Sequence, residues 1–165
     1  MLRISQSDYD VLRKHGVETY PYECCGVLLG TSEGGINTIA AIMRVANIRT
    51  DSAHNRYRIA PQELIHIQRE ARQRELDIIG FYHSHPDHPA QWSKTDFVEA
   101  HWFGCSYVIT SVRKENARCR AFETNAFLLT GSGQGEENKR FEDEHIQVGP
   151  IQNEAISVAA TVDIT

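Results

Sequence analysis

Two histidines, a serine and an aspartate have the types and spacing of a metal site. His83 and His85 are separated by one residue, Ser93 follows after seven more, and Asp96 stands three positions later. Imidazole nitrogens and a carboxylate oxygen suit Zn²⁺, which in catalytic sites commonly takes three protein ligands and one water. The stretch therefore predicts a hydrolytic metal centre with one open coordination position.

Both histidines must follow a strand if their rings are to reach one ion. The run 77–82 is apolar and bounded by turn signals, as in a central strand buried on both faces. In an extended backbone, residues i and i+2 point the same way, whereas on a helix they diverge by about 200°. The rigid loop predicted at 86–89 returns the chain to the metal. With Ser93 as N-cap, Asp96 lies on the same helical face.

Each of these residues also has a simpler explanation when it is considered alone. Ser93 and Asp96 form an ordinary capping pair, and a His-x-His sequence is often a surface pair. Their coincidence after a buried strand favours the metal site. His88, in the same stretch, is better explained as a solvated loop histidine.

A hydrolytic metal site also needs a group that takes a proton from water and later passes one to the leaving amine. Glu23 is the candidate, because it lies beside an apolar strand, where a carboxylate is costly without a partner or a role. Spacing alone leaves Glu18, Glu33 and Glu63 open as alternatives. Their more polar surroundings favour surface positions.

Hydrophobic periodicity and turn residues predict an α/β sandwich with a mixed sheet. The predicted helices cover 7–16, 61–75 and 93–103, and the predicted strands cover 24–29, 36–45, 56–59, 77–82, 107–112, 119–122 and 126–129. The third helix is expected to bury Phe97, Val98 and Trp102.

The size and composition are typical of one globular domain with a short appendage. The chain has 165 residues, of which 41% are apolar and 24% charged, and a net charge of −5. These values argue against a nucleic-acid partner, and no apolar run approaches the roughly 18 residues of a membrane span. We expect a domain at 1–130 and a linker and tail of unknown role at 131–165. For 146–165, an extra strand, a partner-binding tail and disorder are all open.

The four cysteines show no C-x-x-C pair, and the N-terminus lacks the apolar core of a secretory signal. We therefore expect reduced thiols in a cytoplasmic protein. Cys24 and Cys25 could serve as nucleophiles. Buried small apolar residues are the favoured interpretation, because no base or positive group adjoins them.

Glu23, the stretch His83-Ser84-His85-Pro86, Ser93 and Asp96 together resemble the motif of the JAMM (MPN+, Mov34/JAB) zinc metalloproteases, with every motif position filled. The similarity extends over about residues 5–122 and includes the segments 22–30 and 80–86. It is strongest to the short bacterial members, which resemble peptidases that process ubiquitin-like sulfur-carrier proteins.

This resemblance implies a cytidine-deaminase-like three-layer sandwich with a mixed central sheet, the JAB/MPN domain. It implies that His83, His85 and Asp96 bind Zn²⁺, that Glu23 positions and deprotonates a water, and that Ser93 stabilises the tetrahedral oxyanion. The implied substrate is the extended C-terminal tail of a ubiquitin-like or sulfur-carrier protein, cut at a peptide or an isopeptide bond. The oligomeric state is left open.

Two other functions deserve comparison with this one. A non-catalytic MPN-type protein-binding module would need no complete ligand set. A zinc nucleobase deaminase would need a Pro-Cys-x-x-Cys pair, which the sequence lacks. In the peptidase, we expect the substrate to add a strand to an exposed sheet edge. The segment 47–57 is either a wall of that groove or an inert loop.

Overall fold

One eight-stranded sheet organises residues 1–49, 57–132 and 138–150, which are the residues that this computed structural model describes. The elements in chain order are β1 (Leu2–Ile4), α1 (Gln6–Thr19), β2 (Cys25–Glu33), β3 (Ile36–Val45), α2 (Pro61–Gln73), β4 (Asp77–Pro86), α3 (Lys94–Glu99), β5 (Ser106–Glu115), β6 (Arg118–Thr130), β7 (Arg140–Glu144) and β8 (Ile146–Val148). None of the helices in the described residues is long and apolar enough to cross a membrane.

The sheet is mixed and curves until its two edges meet. Its strand order is β7-β6-β5-β4-β2-β3-β1-β8. The pairs β4–β5, β1–β3 and β1–β8 are parallel, and the other pairs are antiparallel. The two edge strands, β7 and β8, are separated in sequence by His145 alone, whose carbonyl accepts a 2.8 Å hydrogen bond from the Leu2 N–H. Residues 140–148 thus connect the first edge of the sheet to the last.

Helices cover both faces of this sheet, which confirms the predicted α/β sandwich. Along β2, successive side chains alternate between two apolar clusters, as expected for a strand buried on both faces. Val27 and Leu29 pack with Ile67 of α2, whereas Leu28 packs with Leu12 of α1. The layers are therefore α1, the sheet, and α2 with α3.

Cys24 and Cys25 are buried apolar residues, which is the interpretation that the sequence favours. All four are free thiols, and Cys24 and Cys25 are buried in different apolar clusters. Burial raises the pKa of the Cys24 thiol to about 11 and also raises that of Cys25. Neither thiol is a nucleophile at neutral pH.

Several predicted boundaries are wrong because local hydrogen bonds override sequence pattern. Helix α1 begins at Gln6, one residue before the predicted start, because Ser5 caps it through its Oγ, which accepts from the Asp8 N–H at 3.0 Å. Helix α3 ends at Glu99 and not near 103, because Ala100 takes an extended conformation. Val98 is consequently 45% exposed, contrary to the predicted burial.

The strands differ from prediction in three places. The residues 57–60 form no strand: Ile48 N–H donates to the Arg58 carbonyl and Arg58 N–H donates to Asn47 Oδ1, so these groups are used within a loop. The two strands predicted at 119–122 and 126–129 are one strand, β6. Strand β4 continues through Pro86, which pairs with Val112, so the loop begins at Asp87.

The segment after 130 contributes to the same sheet. Of the three interpretations of 146–165, an extra strand is present at Ile146–Val148, and β7 adds another at Arg140–Glu144. The residues 133–137 and 151–165 lie outside the described part of the chain. The division at residue 130 into a domain and a tail of separate role stays a prediction.

Candidate metal centre

Strand β4 places both histidine rings on the sheet face that α2 and α3 cover. It lies between antiparallel β2 and parallel β5, so it is a central strand. His83 and His85 are 2% and 7% exposed. Ser84 points to the opposite face, where its Oγ accepts a 2.9 Å hydrogen bond from the Cys24 N–H. The alternation expected of an extended backbone therefore brings the two imidazoles together.

A capping box at the start of α3 orients Asp96. The Ser93 N–H donates to Asp96 Oδ2 at 2.7 Å, and the Asp96 N–H donates to Ser93 Oγ at 3.1 Å. The carboxylate also faces β4: Oδ1 lies 3.2 Å from His83 Nε2, and Oδ2 lies 3.2 Å from His85 Nε2. The capping pair and the metal-ligand interpretation are therefore compatible, because one carboxylate satisfies both.

The spacing of the donor atoms fits a tetrahedral ion. The two Nε2 atoms are 3.1 Å apart, and the ligand atoms of His83, His85 and Asp96 all lie within 4.8 Å of one another. A tetrahedron with zinc–ligand bonds of about 2.0–2.1 Å has donor atoms roughly 3.3 Å apart. The residues present therefore fit a zinc ion.

The hydrogen-bond chemistry of the site also indicates a cation. His85 Nδ1 lies 2.9 Å from the Pro89 carbonyl oxygen, which can only accept, so Nδ1 carries the proton. In the neutral ring, His85 Nε2 then presents a lone pair toward His83 Nε2 and the Asp96 carboxylate. Acceptors that converge on one buried point need a positive charge between them, which a metal ion or protons on the histidine rings can supply. Burial lowers the pKa of His85, but its hydrogen bonds to Asp96 and the Pro89 carbonyl outweigh burial and raise it.

Electrostatics keep the carboxylate ionised. Burial favours protonation of Asp96, but the adjacent imidazoles of His83 and His85 outweigh it and hold the pKa of Asp96 far below its ordinary value. Burial lowers the pKa of His83, and this exceeds the opposing effect of Asp96. An ionised carboxylate and a neutral imidazole are the forms that bind metal.

Glu23 lies beside this cluster because of the β2–β4 register. Cys25 pairs with His83, and the same antiparallel register continued by two residues sets Glu23 opposite His85. Glu23 is 3% exposed, and its Oε2 has no hydrogen-bond partner among the described residues. Burial is the largest cause that raises the pKa of Glu23, to about 8 in the metal-free protein. A proton on His85 lowers this pKa, and the negative charges of Asp96 and Glu99 raise it. The carboxyl is thus suited to exchange protons near neutral pH.

The alternatives to Glu23 do not share this setting. Glu18, Glu33 and Glu63 are all exposed, and Glu18 forms an ion pair with Arg44 at 2.7 Å. The side chain of His88 is exposed, in agreement with its interpretation as a solvated loop residue.

Two contacts at the site have no signal in the sequence. The ring of Tyr57 stacks on His83, with centroids 4.6 Å apart and planes at 28°. The carbonyl of Pro89 orients His85, and its loop is held by Ser111 Oγ, which donates to the His88 carbonyl at 2.6 Å, and by Asn125 Nδ2, which donates to the Ala90 carbonyl at 2.9 Å. All of these join residues that are distant in sequence or act through the backbone, so motif spacing does not reveal them.

A cavity of about 480 Å³ adjoins the site. Tyr57 lines it on one side and touches His83 on the other, and Phe81 and Trp102 form an apolar wall. Arg49 and Glu99 also line the cavity and form an ion pair at 3.3 Å. Of the groove wall expected at 47–57, Arg49 and Tyr57 line this cavity, and 50–56 lie outside the described residues.

Parts of this chain are similar in sequence to known proteins. The family model described as prokaryotic homologues of the JAB domain matches residues 5–125. Over 91 residues the chain is 36% identical to a desampylase of Haloferax volcanii. This match spans 55% of this chain and 63% of that protein. Over 84 residues it is 31% identical to the Lys-63-specific deubiquitinase BRCC36 of Camponotus floridanus, covering 47% of this chain and 32% of that protein.

Solved structures that match this chain share its architecture. The crystal structure of a JAB1/MPN domain protein from Archaeoglobus fulgidus superimposes with a TM-score of 0.51 at 14% identity, over 91% of this chain and 98% of that one. At this identity the likeness shows the fold alone, which is the JAB/MPN fold expected from the resemblance. The chain matches under two thirds of the length of either curated relative. Because the family model covers most of its length, the chain belongs to the prokaryotic JAB-domain homologues of the JAMM/MPN family.

Proposed function

We propose that this protein is a zinc-dependent peptidase or isopeptidase that hydrolyses an amide bond at the C-terminus of a ubiquitin-like or sulfur-carrier protein. The observation that carries the proposal is the convergence of His83, His85 and Asp96 on one point, beside the buried carboxyl of Glu23, whose Oε2 has no hydrogen-bond partner among the described residues. A purely structural cluster leaves Glu23 unexplained, because a buried carboxyl without a partner is destabilising.

His83 and His85 would hold the zinc through Nε2, and Asp96 through its carboxylate. A bound zinc would supply Lewis-acid polarisation of the scissile carbonyl and would lower the pKa of a coordinated water to about 7. The Pro89 carbonyl keeps the proton of His85 on Nδ1, which leaves Nε2 free as a ligand.

Glu23 is the proton carrier of the proposed reaction. Its carboxylate takes the proton of the attacking water as the water oxygen bonds to the carbonyl carbon. The protonated carboxyl then gives that proton to the amide nitrogen as the C–N bond breaks, so that the products are a carboxylic acid and an amine. In the metal-free protein burial raises the pKa of Glu23 to about 8, and the positive charge of a bound zinc would lower it and so favour the carboxylate that accepts the proton of water.

Ser93 can cap α3 and assist the reaction at the same time. A serine hydroxyl has one proton to donate and two lone pairs to accept with. The cap uses only a lone pair of Ser93 Oγ, through the Asp96 N–H. The hydroxyl proton therefore remains for the oxyanion, and losing such a donor typically lowers turnover by about 10²–10³-fold.

The family and the names of two relatives support the proposed substrate class. One curated relative is named a desampylase and the other a Lys-63-specific deubiquitinase, and both names support an isopeptidase acting on ubiquitin-like proteins. The cavity next to His83 could accommodate part of an extended tail. The choice between a sulfur carrier and another ubiquitin-like protein, and the addition of the tail as a strand, belong to the proposal.

The test uses zinc-loaded protein and two substrates. The first is a sulfur carrier that carries extra residues after its terminal Gly-Gly, and the second is the same carrier joined to a lysine side chain. We expect cleavage after Gly-Gly in at least one. Glu23→Gln should retain zinc and lose at least about 100-fold in rate, and Glu33→Gln, at an exposed carboxyl, should match the wild type.

Stoichiometric zinc without cleavage of either substrate would overturn the peptidase proposal. If the uncut carrier then remained bound in a stable complex, the chain would be a protein-binding module.

A further inference from the structure

The helix that supplies Asp96 is too short to be stable without contacts to other elements. Helix α3 has 6 residues, Lys94–Glu99, and none of them is buried. An isolated helix of this length is unstable in water, because helix formation requires more turns or tertiary packing. Its capping box joins Ser93 to Asp96 but ties neither of them to the rest of the fold. The location of α3 relative to β4 must therefore come from contacts with other elements.

An aromatic cluster makes one of these contacts through β7. The ring of Phe97, next to Asp96, lies 5.8 Å from the ring of Phe141 in an edge-to-face arrangement. Trp92 lies 5.5 Å from Phe97 and 5.6 Å from Phe141, so the three rings contact one another. Edge-to-face and tilted pairs at such distances are attractive beyond their buried area.

Phe141 also reaches the core of the sheet. Its ring lies 5.2 Å from Tyr107 of β5 and 6.1 Å from Phe127 of β6, and both of those residues are buried. Phe141 therefore contacts α3 on one side and two central residues of the sheet on the other. The Phe141 side chain therefore packs α3 against the core of the sheet.

Lys139 adds a second contact from the same segment. Its Nζ donates to the Val98 carbonyl at 3.3 Å and lies 4.8 Å from the centre of the Phe97 ring. Carbonyls near a helix C-terminus lack partners within the helix and attract cations. A lysine here stabilises the end of α3 through both its charge and its hydrogen bond.

Besides the contacts of Asp96 with His83 and His85, α3 has an ion pair at its end, which is a weaker constraint. Arg49 pairs with Glu99 at 3.3 Å, with 21% and 47% of these side chains exposed. An ion pair this open to solvent contributes about 0–1 kcal/mol. The aromatic contact is therefore the stronger constraint.

We propose that strand β7 is a positioning element of the metal centre, in which Phe141, assisted by Lys139, holds α3 so that Asp96 reaches both histidines. This inference rests on the proposed function only in treating Asp96 as a ligand. The segment lies beyond residue 125, where the family match ends. The proposal gives a role to part of the segment 131–165, for which the sequence predicts a linker and tail.

The first test is hydrogen exchange in the metal-free protein. Phe141→Ala should speed exchange of the backbone amides of residues 94–100 at least tenfold. The matched control is Ile146→Ala, which truncates a half-buried residue of the neighbouring strand β8 that packs in the cluster on the opposite face. The control should leave those amides at the wild-type rate, and equal rates in both variants would overturn the proposal.

The second test is zinc affinity, measured by competition with a chromogenic chelator. We expect Phe141→Ala to bind zinc about tenfold more weakly than the wild type. Lys139→Ala should weaken zinc binding by a smaller factor, and Ile146→Ala should leave the affinity unchanged. Phe141→Leu keeps apolar volume and should give an intermediate loss, so it replaces the alanine variant if that one does not fold. Unchanged affinity in both Phe141 variants contradicts the proposal.

Neither readout uses a substrate, so failure to cut any carrier leaves this inference standing. If the wild type binds no zinc, Asp96 is not a ligand and the proposal is overturned, whatever the exchange rates show.

Discussion

The Nδ1 atom of His85 donates to the carbonyl oxygen of Pro89 across 2.9 Å. This bond fixes which ring nitrogen carries the proton, and so it determines that Nε2 faces Asp96 and His83. The partner is a main-chain atom of a loop, so the geometry of a metal ligand depends on how firmly that loop is held. Outer contacts of this type commonly alter metal affinity about 10- to 100-fold.

We predict that loosening this loop weakens zinc binding. Asn125→Ala removes the donor to the Ala90 carbonyl, and Ser111→Ala removes the donor to the His88 carbonyl. Each should lower zinc affinity by about tenfold, as measured by chelator competition. Ser5→Ala is the control, because it removes the cap of α1 at a similar cost of about 1 kcal/mol without contact to the loop. An equal change in the control would assign the effect to general destabilisation.

Loss of a ligand should remove metal and activity together. His83→Ala deletes one donor, and Asp96→Asn replaces the ionised carboxylate by an amide that can still accept from the Ser93 N–H. We expect both variants to bind zinc at least about 100-fold more weakly, since a ligand contributes more than an outer contact. Zinc content by elemental analysis after dialysis is the measurement. Retention of one zinc per chain in both variants would exclude this site.

The burial of Glu23 makes folding pH-dependent in the metal-free protein. Its pKa is raised by burial to about 8 from 4.5, so the folded state favours the protonated carboxyl. That preference contributes fully below about pH 4.5 and is lost as pH rises through about 8. Glu23→Gln is neutral at every pH, so its advantage in Tm over the wild type should grow by more than about 5 °C between about pH 4.5 and about pH 9.

The control for this prediction is Glu33→Gln, at an exposed carboxyl. Its difference in Tm from the wild type should be nearly the same at both pH values. A flat difference for Glu23→Gln would show that Glu23 has found a partner in solution or is hydrated.

The parts of the site that sequence reasoning could predict are those set by short-range geometry. His83 and His85 alternate along one strand, and Ser93 and Asp96 share one helical turn, so their local pattern already determines their orientation. The position of Glu23 could not be predicted from local pattern alone, because it follows from the pairing between β2 and β4. The position of Glu23 beside an apolar run indicates a functional role. Only the strand register shows that Glu23 faces His85.

The missed features depend on long-range packing. Tyr57 lies in a polar stretch with no periodicity, yet it stacks on His83. Phe141 follows a stretch rich in glycine and charge that suggested a linker, yet it lies in a strand against α3. Composition describes the average surroundings of a segment and contains no information about which distant strand it will pair with.

The last prediction separates the two roles of Ser93. Ser93→Ala should keep zinc, weaken the cap by about 1 kcal/mol and lower the rate. Ser93→Gly is more decisive, because glycine at this position costs only a few tenths of a kcal/mol yet supplies no hydroxyl. We expect Ser93→Gly to keep nearly the wild-type Tm and zinc content, and to lose about 10²–10³-fold in kcat on a cleavable carrier. Ser93→Thr retains the hydroxyl and the cap and should recover most of the rate. If glycine matched the wild-type kcat, Ser93 would be a cap alone, and the oxyanion would need another donor.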